Sequence, residues 1–238
     1  MKKLVCDNYG QMSRAAADIV EAQLTRKPDS VLGLATGSTP LGLYEELVRR
    51  YSAGKIDFSK ARSFNLDEYY PISKDHHQSY NYYMNENLLG RVNFLASRLP
   101  NGETSNPESE CAKYEAEIEA AGGIDLQLLG IGLNGHIGFN EPGDIYSYST
   151  NLTLLSKSTL EANSRFFRDG ETQPTSAITL GFGAIFRAKS ILLLISGANK
   201  ASIAKKLFED KIHTNIPATL LLLHHDVTVI LDRAAAGQ

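Results

Sequence analysis

Several absences narrow the class of this chain before any motif is considered. Its two cysteines, Cys6 and Cys111, are too few for a disulfide framework and read as reduced thiols of a cytosolic protein. There is no basic excess: the formal net charge is −3 over 238 residues, which argues against general nucleic-acid binding. No apolar run approaches the roughly 18 residues of a membrane span, and Leu220–Leu223 reads as a core patch. The start, MKKLVCDNYG, offers only three apolar residues before Asp7, too short for the core of a secretory signal. Repeats, low-complexity tracts and linkers rich in Pro, Gly or Ser are also lacking. His76-His77 and His224-His225 are adjacent pairs rather than helical i, i+4 pairs, and His213 is isolated, so no zinc spacing is present. A G-x-S-x-G nucleophile elbow is missing as well. What these absences leave is a soluble cytoplasmic protein without a metal centre.

What is present is an alternation of apolar runs with amphipathic stretches. Ser30–Ala35, Ala61–Leu66, Asp125–Ile131, Ser190–Ile195 and Val227–Leu231 read as strands, with Leu152–Leu155 a weaker one. Pro40–Arg50, Gln78–Leu89, Pro107–Ala121, Thr159–Phe167 and Asn199–Asp210 read as helices. The alternation predicts a single α/β domain over residues 1–238, with a mainly parallel sheet covered by helices on both faces. Leu95–Asn106 reads as a loop.

In open parallel sheets ligands bind beyond the carboxyl ends of the strands, and the informative motifs fall there. Thr36-Gly37-Ser38-Thr39, between a strand and a helix, is a phosphate-turn pattern of small residues and hydroxyls at a helix N-terminus. It is neither a Walker A sequence nor GxGxxG, and the same residues would serve as ordinary capping. In Phe64-Asn65-Leu66-Asp67-Glu68, strand alternation points the two carboxylates in different directions. One could act as a general base while the other caps a helix, or both could belong to a plain acidic loop. GIGLNGHIGFNEPG, Gly130–Gly143, places Asn134, His136 and Glu141 within eight residues of a glycine-rich turn. The histidine is either structural or suited to proton transfer near neutral pH. Lys200 opens a helix, where a cation opposes the helix dipole unless an anion lies beside it. Arg165 is either a second phosphate ligand or a surface residue.

The ordered blocks LGLATGSTPLGLY, FNLDEYY, GIGLNGHIGFNEPG, ANSRFF and SGANKA resemble those of the glucosamine-6-phosphate deaminases, of the glucosamine/galactosamine-6-phosphate isomerase family, over nearly the whole chain. The resemblance implies a modified Rossmann-like fold. It also implies conversion of glucosamine 6-phosphate to fructose 6-phosphate and ammonia without metal or redox cofactor. By position in these blocks, Asp67 matches the general base and His136 the group that opens the sugar ring. Glu141 matches the carboxylate that holds this histidine. Arg165, Lys200 and the Thr36–Thr39 turn match the phosphate site, and the segment around Arg165 resembles a mobile lid.

Two departures from the family pattern stand out. Asn134 replaces an aspartate found in some members, which removes a charge from the histidine relay. Gly143–Thr153 has no Lys or Arg, whereas members activated by an acetylated aminosugar phosphate carry basic residues there. A non-allosteric monomer or low-order homo-oligomer is therefore expected, acting on a small molecule with no nucleic-acid or membrane partner. The rivals are a 6-phosphogluconolactonase, whose block reads GxGxDGHxAS where this chain continues IGFNEP, and a sugar-phosphate sensor domain. A sensor has no need of Asp67, His136 and Glu141 together, and no DNA-binding segment is expected ahead of the fold.

Overall fold

Six consecutive residues, Ser190–Ile195, are buried from the second onward. A strand whose successive side chains are all buried must be covered on both faces. In the computed structural model, which describes residues 1–164, 167–168 and 170–238, this run is an interior strand of a parallel sheet. The strands are β1 (Lys2–Cys6), β2 (Val31–Leu34), β3 (Arg62–Asn65), β4 (Asp67–Tyr70), β5 (Ala96–Arg98), β6 (Leu126–Leu129), β7 (Asn151–Leu154), β8 (Ser176–Thr179), β9 (Ser190–Ile195) and β10 (Val227–Asp232). The helices are α1 (Tyr9–Arg26), α2 (Leu41–Ser52), α3 (Tyr80–Met84), α4 (Pro107–Ala120), α5 (Lys157–Ser164), α6 (Phe182–Phe186) and α7 (Ala201–Leu207).

Seven strands form the main sheet in the order β5-β3-β2-β6-β9-β10-β1, and every pairing in it is parallel. From β2 the chain moves outward through β3 to β5. It then returns to the other side of β2, at β6, and moves outward through β9 to β10. The order reverses between β2 and β6, which opens a crevice above their carboxyl ends. The expected α/β architecture with a mainly parallel sheet is thus present.

A second, antiparallel sheet of β4, β8 and β7 grows from the carboxyl edge of the first. Leu66 is the junction: its N–H donates to Leu34 O at 2.8 Å, and its carbonyl accepts from Leu180 N at 2.9 Å. Leu152–Leu155, expected as a strand of the series, is β7 of this small sheet. Leu95–Asn106, expected as a loop, contains the edge strand β5, which is too short and too polar to show a pattern. The expected helix 78–89 divides into α3 and a wider turn at Asn85–Leu89, and Leu223 of the expected core patch is 67% exposed while Leu221 is buried.

The sheet centre requires glycine at one point. A Cβ on Gly33 would lie 2.2 Å from Gln127 Oε1, so only its absence lets that buried amide lie across β2. At the opposite end of the strands, Asp125 fastens β2 to β6 and β9. Its carboxylate accepts Val31 N–H at 2.8 Å and pairs with Lys27 and Lys189 at 2.6 and 2.7 Å. Burial pushes the Asp125 pKa up, but Lys189, Lys27 and the Val31 N–H outweigh it and hold the group below the usual carboxylate value. A depressed folded-state pKa adds stability that is present above the unfolded value and is lost as pH falls through the folded one. Asp125→Asn is expected to lower the unfolding free energy by about 3 kcal/mol at neutral pH. The gap from wild type should close at strongly acid pH, as read by urea denaturation at both.

Candidate functional site

Strands β9, β6, β2 and β3 are consecutive neighbours, and their carboxyl ends lead into Ser196–Lys200, Gly130–Gly143, Ala35–Pro40 and Leu66–Tyr70. Four motifs scattered over more than a hundred residues are therefore brought into one row above the crevice.

In the turn after β2, phenols hold the backbone carbonyls. Tyr83 Oη donates to Gly37 O at 2.6 Å, and Tyr9 Oη donates toward Ser38 O and Thr39 O at 3.2 and 3.1 Å while accepting Gly42 N–H at 2.7 Å. Gly37 has φ 98°, where a side chain would be strained. Helix α2 has Pro40 at its N-cap and no side-chain cap, and no described residue accepts a hydrogen bond from the N–H of Gly37, Ser38 or Thr39. Free N–H groups and hydroxyls at an uncapped helix start form a receptor for an anion.

The next loop is shaped around His136. A Cβ on Gly132 would fall 2.3 Å from the imidazole, so the ring lies directly on the Gly132 backbone. Gly132 N–H also donates to His136 O at 2.9 Å, and Gly135 turns the chain at φ 86°. Asn134 joins the parts: its Oδ1 accepts His136 N–H at 3.2 Å and its Nδ2 donates to Glu141 Oε2 at 2.7 Å. The same Oε2 lies 3.4 Å from His136 Nδ1, a charge-pair separation, and Nδ1 is buried with no hydrogen-bond partner among the described residues. Thr159 Oγ1 donates to the other oxygen, Oε1. Burial pushes Glu141 up, but His136, Thr159 and Asn134 outweigh it and hold it at about 2. Asn134, with no charge, orients this carboxylate by hydrogen bonding.

Asp67 and Glu68 diverge, as strand alternation requires. Glu68 caps α3: Oε1 accepts from Tyr69 N and Tyr80 N at 2.9 and 2.8 Å, and Oε2 from Asn81 N at 2.8 Å. Its burial outweighs these donors and raises it to about 7. Asp67 is 5% exposed, and no described residue donates a hydrogen bond to its carboxylate. Burial, and then the Glu68 charge, raise its pKa well above the usual value. A desolvated carboxylate with unoccupied lone pairs is a strengthened base.

Lys200 stands in the turn Ala198–Lys200 and donates from Nζ to Ile131 O at 2.6 Å, which ties the end of β9 to the loop after β6. Desolvation lowers it to about 8. The turn is held by Asp232, which accepts from Ser196 Oγ at 2.5 Å and from Gly197 N at 3.1 Å. Arg165 lies outside the described residues.

The residues that pattern reasoning missed are partners made by tertiary packing: Thr159, Asp232, and the Tyr9 and Tyr83 clamps. Tyr69, on the strand that carries Asp67, forms an aromatic cluster with Tyr80 and Phe139, the last two stacked at 7°. The adjacent histidines also gain a partner. His76, His77 and Glu171 bring ligand-type atoms within 4.8 Å of one another. However, Gln78 N–H donates to His76 Nδ1 at 3.1 Å, which places the His76 proton on Nε2, the atom facing Glu171. A metal ligand needs the opposite tautomer. His77 Nε2 meets Glu171 Oε1 at 2.9 Å, so the cluster reads as a hydrogen-bonded strut.

The sheet order and the loops gathered at its switch point define a Rossmann-like α/β protein. The chain belongs to the family described as glucosamine-6-phosphate isomerases/6-phosphogluconolactonase, whose model matches residues 8–230. A glucosamine-6-phosphate deaminase of Thermoanaerobacter sp. (strain X514) is 52% identical, over 100% of this chain and 94% of its own length. The solved structure of a monomeric glucosamine-6-phosphate deaminase is 42% identical with a TM-score of 0.94, covering 100% of this chain and 99% of that one. A 6-phosphogluconolactonase from Thermotoga maritima shares the fold, with a TM-score of 0.76 at 24% identity over 97% of this chain and 98% of its own.

Lys200, lowered from 10.5 to about 8, burdens the free protein with a desolvated charge below that pH. Between the two values the unfolded chain binds more protons, so the burden is relieved as pH rises. Lys200→Met removes it. The stability of the variant relative to wild type is expected to fall as pH rises from about 8, measured by chemical denaturation across the alkaline range.

Proposed function

We propose that this chain isomerises and deaminates glucosamine 6-phosphate, giving fructose 6-phosphate and ammonia. The observation that carries the reading is the Asp67 carboxylate, buried and without hydrogen-bond donors, in the same row of loops as the His136–Glu141 pair and the open phosphate turn. Identity of 52% to a relative of that name supports the substrate.

The N–H groups and hydroxyls of Thr36, Gly37, Ser38 and Thr39 hold the 6-phosphate together with Lys200 and Arg165. A phosphate beside Lys200 supplies the counter-charge that its burial withholds. His136, held by Glu141, gives a proton to the ring oxygen and takes up the one that the C1 hydroxyl loses, and the pyranose opens to the aldehyde. Asp67 removes the C2 proton while His136 returns one to O1, leaving an enolamine, and Asp67 then hands its proton to C1. The resulting ketimine at C2 adds water and expels ammonia. Every step is a proton transfer or a hydration, and anchoring the phosphate fixes C1 and C2 against the base. The reaction is of the isomerase type, with water consumed only to release the amine.

We further propose that residues 1–238 act as one domain and as a monomer. No helix among the described residues is long and apolar enough to cross a membrane; the sugar-phosphate substrate fits a cytoplasmic location. The residues that follow His136, Ile137–Pro142, match the deaminase block and not the lactonase one.

Purified protein given glucosamine 6-phosphate should release ammonia stoichiometrically with fructose 6-phosphate, and absence of both products would sink the reading. Asp67→Asn is expected to lower kcat by about 100-fold or more with little change in KM. Gly132→Ala should lower kcat on a similar scale of about 100-fold, because the new methyl displaces the His136 ring. Circular dichroism of both variants should match wild type.

A further inference from the structure

Helix α5 carries Thr159 and Asn163 one turn apart, on a single face. Thr159 is 5% exposed and Oγ1 donates to Glu141 Oε1. The same hydroxyl accepts from Ser156 Oγ at 3.1 Å, and Thr159 N–H donates back to Ser156 Oγ at 3.2 Å. Asn163 Nδ2 donates to Tyr69 Oη at 2.9 Å, on the strand that carries Asp67. One short helix thus touches the supports of both proposed acid–base groups.

The consequence for Glu141 follows from how a carboxylate rotates. The terminal torsion of a glutamate is broad and roughly two-fold, so one hydrogen bond fixes its plane poorly. Here Asn134 holds Oε2, Thr159 holds Oε1, and the plane is set so that Oε2 faces His136 Nδ1 at 3.4 Å. Without the Thr159 hydroxyl, the carboxylate turns about its contact with Asn134 and Oε2 loses that aim.

We propose that Thr159 is a positioning residue that fixes the rotation of the Glu141 carboxylate, so that proton transfer by His136 depends on α5 being docked. This rests on the deaminase reading and adds to it that ring opening is conditional on the helix leading toward Arg165. Thr159→Val removes the hydroxyl at nearly constant volume, and Thr159→Ser restores it.

The test compares wild type with both variants in two measurements. One is steady-state ammonia release from glucosamine 6-phosphate. The other is binding of 2-amino-2-deoxyglucitol 6-phosphate, an open-chain analogue with no ring to open. Thr159→Val is expected to lose about 10- to 100-fold in kcat, to keep affinity for the analogue within about twofold, and to regain most of its turnover as Thr159→Ser. Wild-type kcat in Thr159→Val would overturn the proposal and leave the deaminase reading intact. So would an equal loss of analogue affinity, or failure of Thr159→Ser to rescue, since each marks a merely structural role. Wild type that releases no ammonia would overturn both.

Discussion

A parallel sheet that is built outward in two directions must leave neighbouring strands whose connections depart to opposite sides. Here those strands are β2 and β6. The remaining features of the site are answers to that geometry. The turn after β2 presents N–H groups because its carbonyls are occupied by Tyr9 and Tyr83. The loop after β6 presents an imidazole because Gly132 offers no side chain to hold it away. Lys200 reaches the crevice from β9, and the small antiparallel sheet carries Asp67 to it from β3.

The electrostatics follow the same division. Asp67 and Lys200 are both desolvated, which works against the charge of each: the carboxyl is raised and the ammonium lowered. Glu141 is also desolvated, yet its donors keep it ionised. One carboxylate is thereby made more basic and the other is kept as a permanent anion beside a histidine. Two groups of one chemical type are separated in role by how many hydrogen-bond donors reach them.

Much of this was legible before the fold was known, and for identifiable reasons. The strands β9 and β2 are contiguous apolar runs because both of their faces are covered, and β6 departs from this only at the buried Gln127. The divergence of Asp67 from Glu68 follows from strand alternation alone. Strands β5 and β8, ASR and SAIT, carry no such pattern: each is short and partly polar. Helix α1 dilutes its buried Met12, Val20 and Leu24 with Ser13, Ala16, Ala17 and Gln23, which weakens the apolar periodicity. Thr159 and Glu171 were beyond reach for another reason. Their partners lie 18 and 94 residues away, and only the docking of separate segments makes the pairs.

The seclusion of Asp67 has a consequence for the fate of one hydrogen atom. Under the proposed reaction the proton taken from C2 resides on a carboxyl that is 5% exposed. Water has little access to exchange with it in the interval before it is handed to C1. A deuterium placed at C2 of the aminosugar is then carried along the carbon chain on one face of the intermediate. It arrives at C1 of the ketose as a stereochemically defined label instead of washing out into solvent.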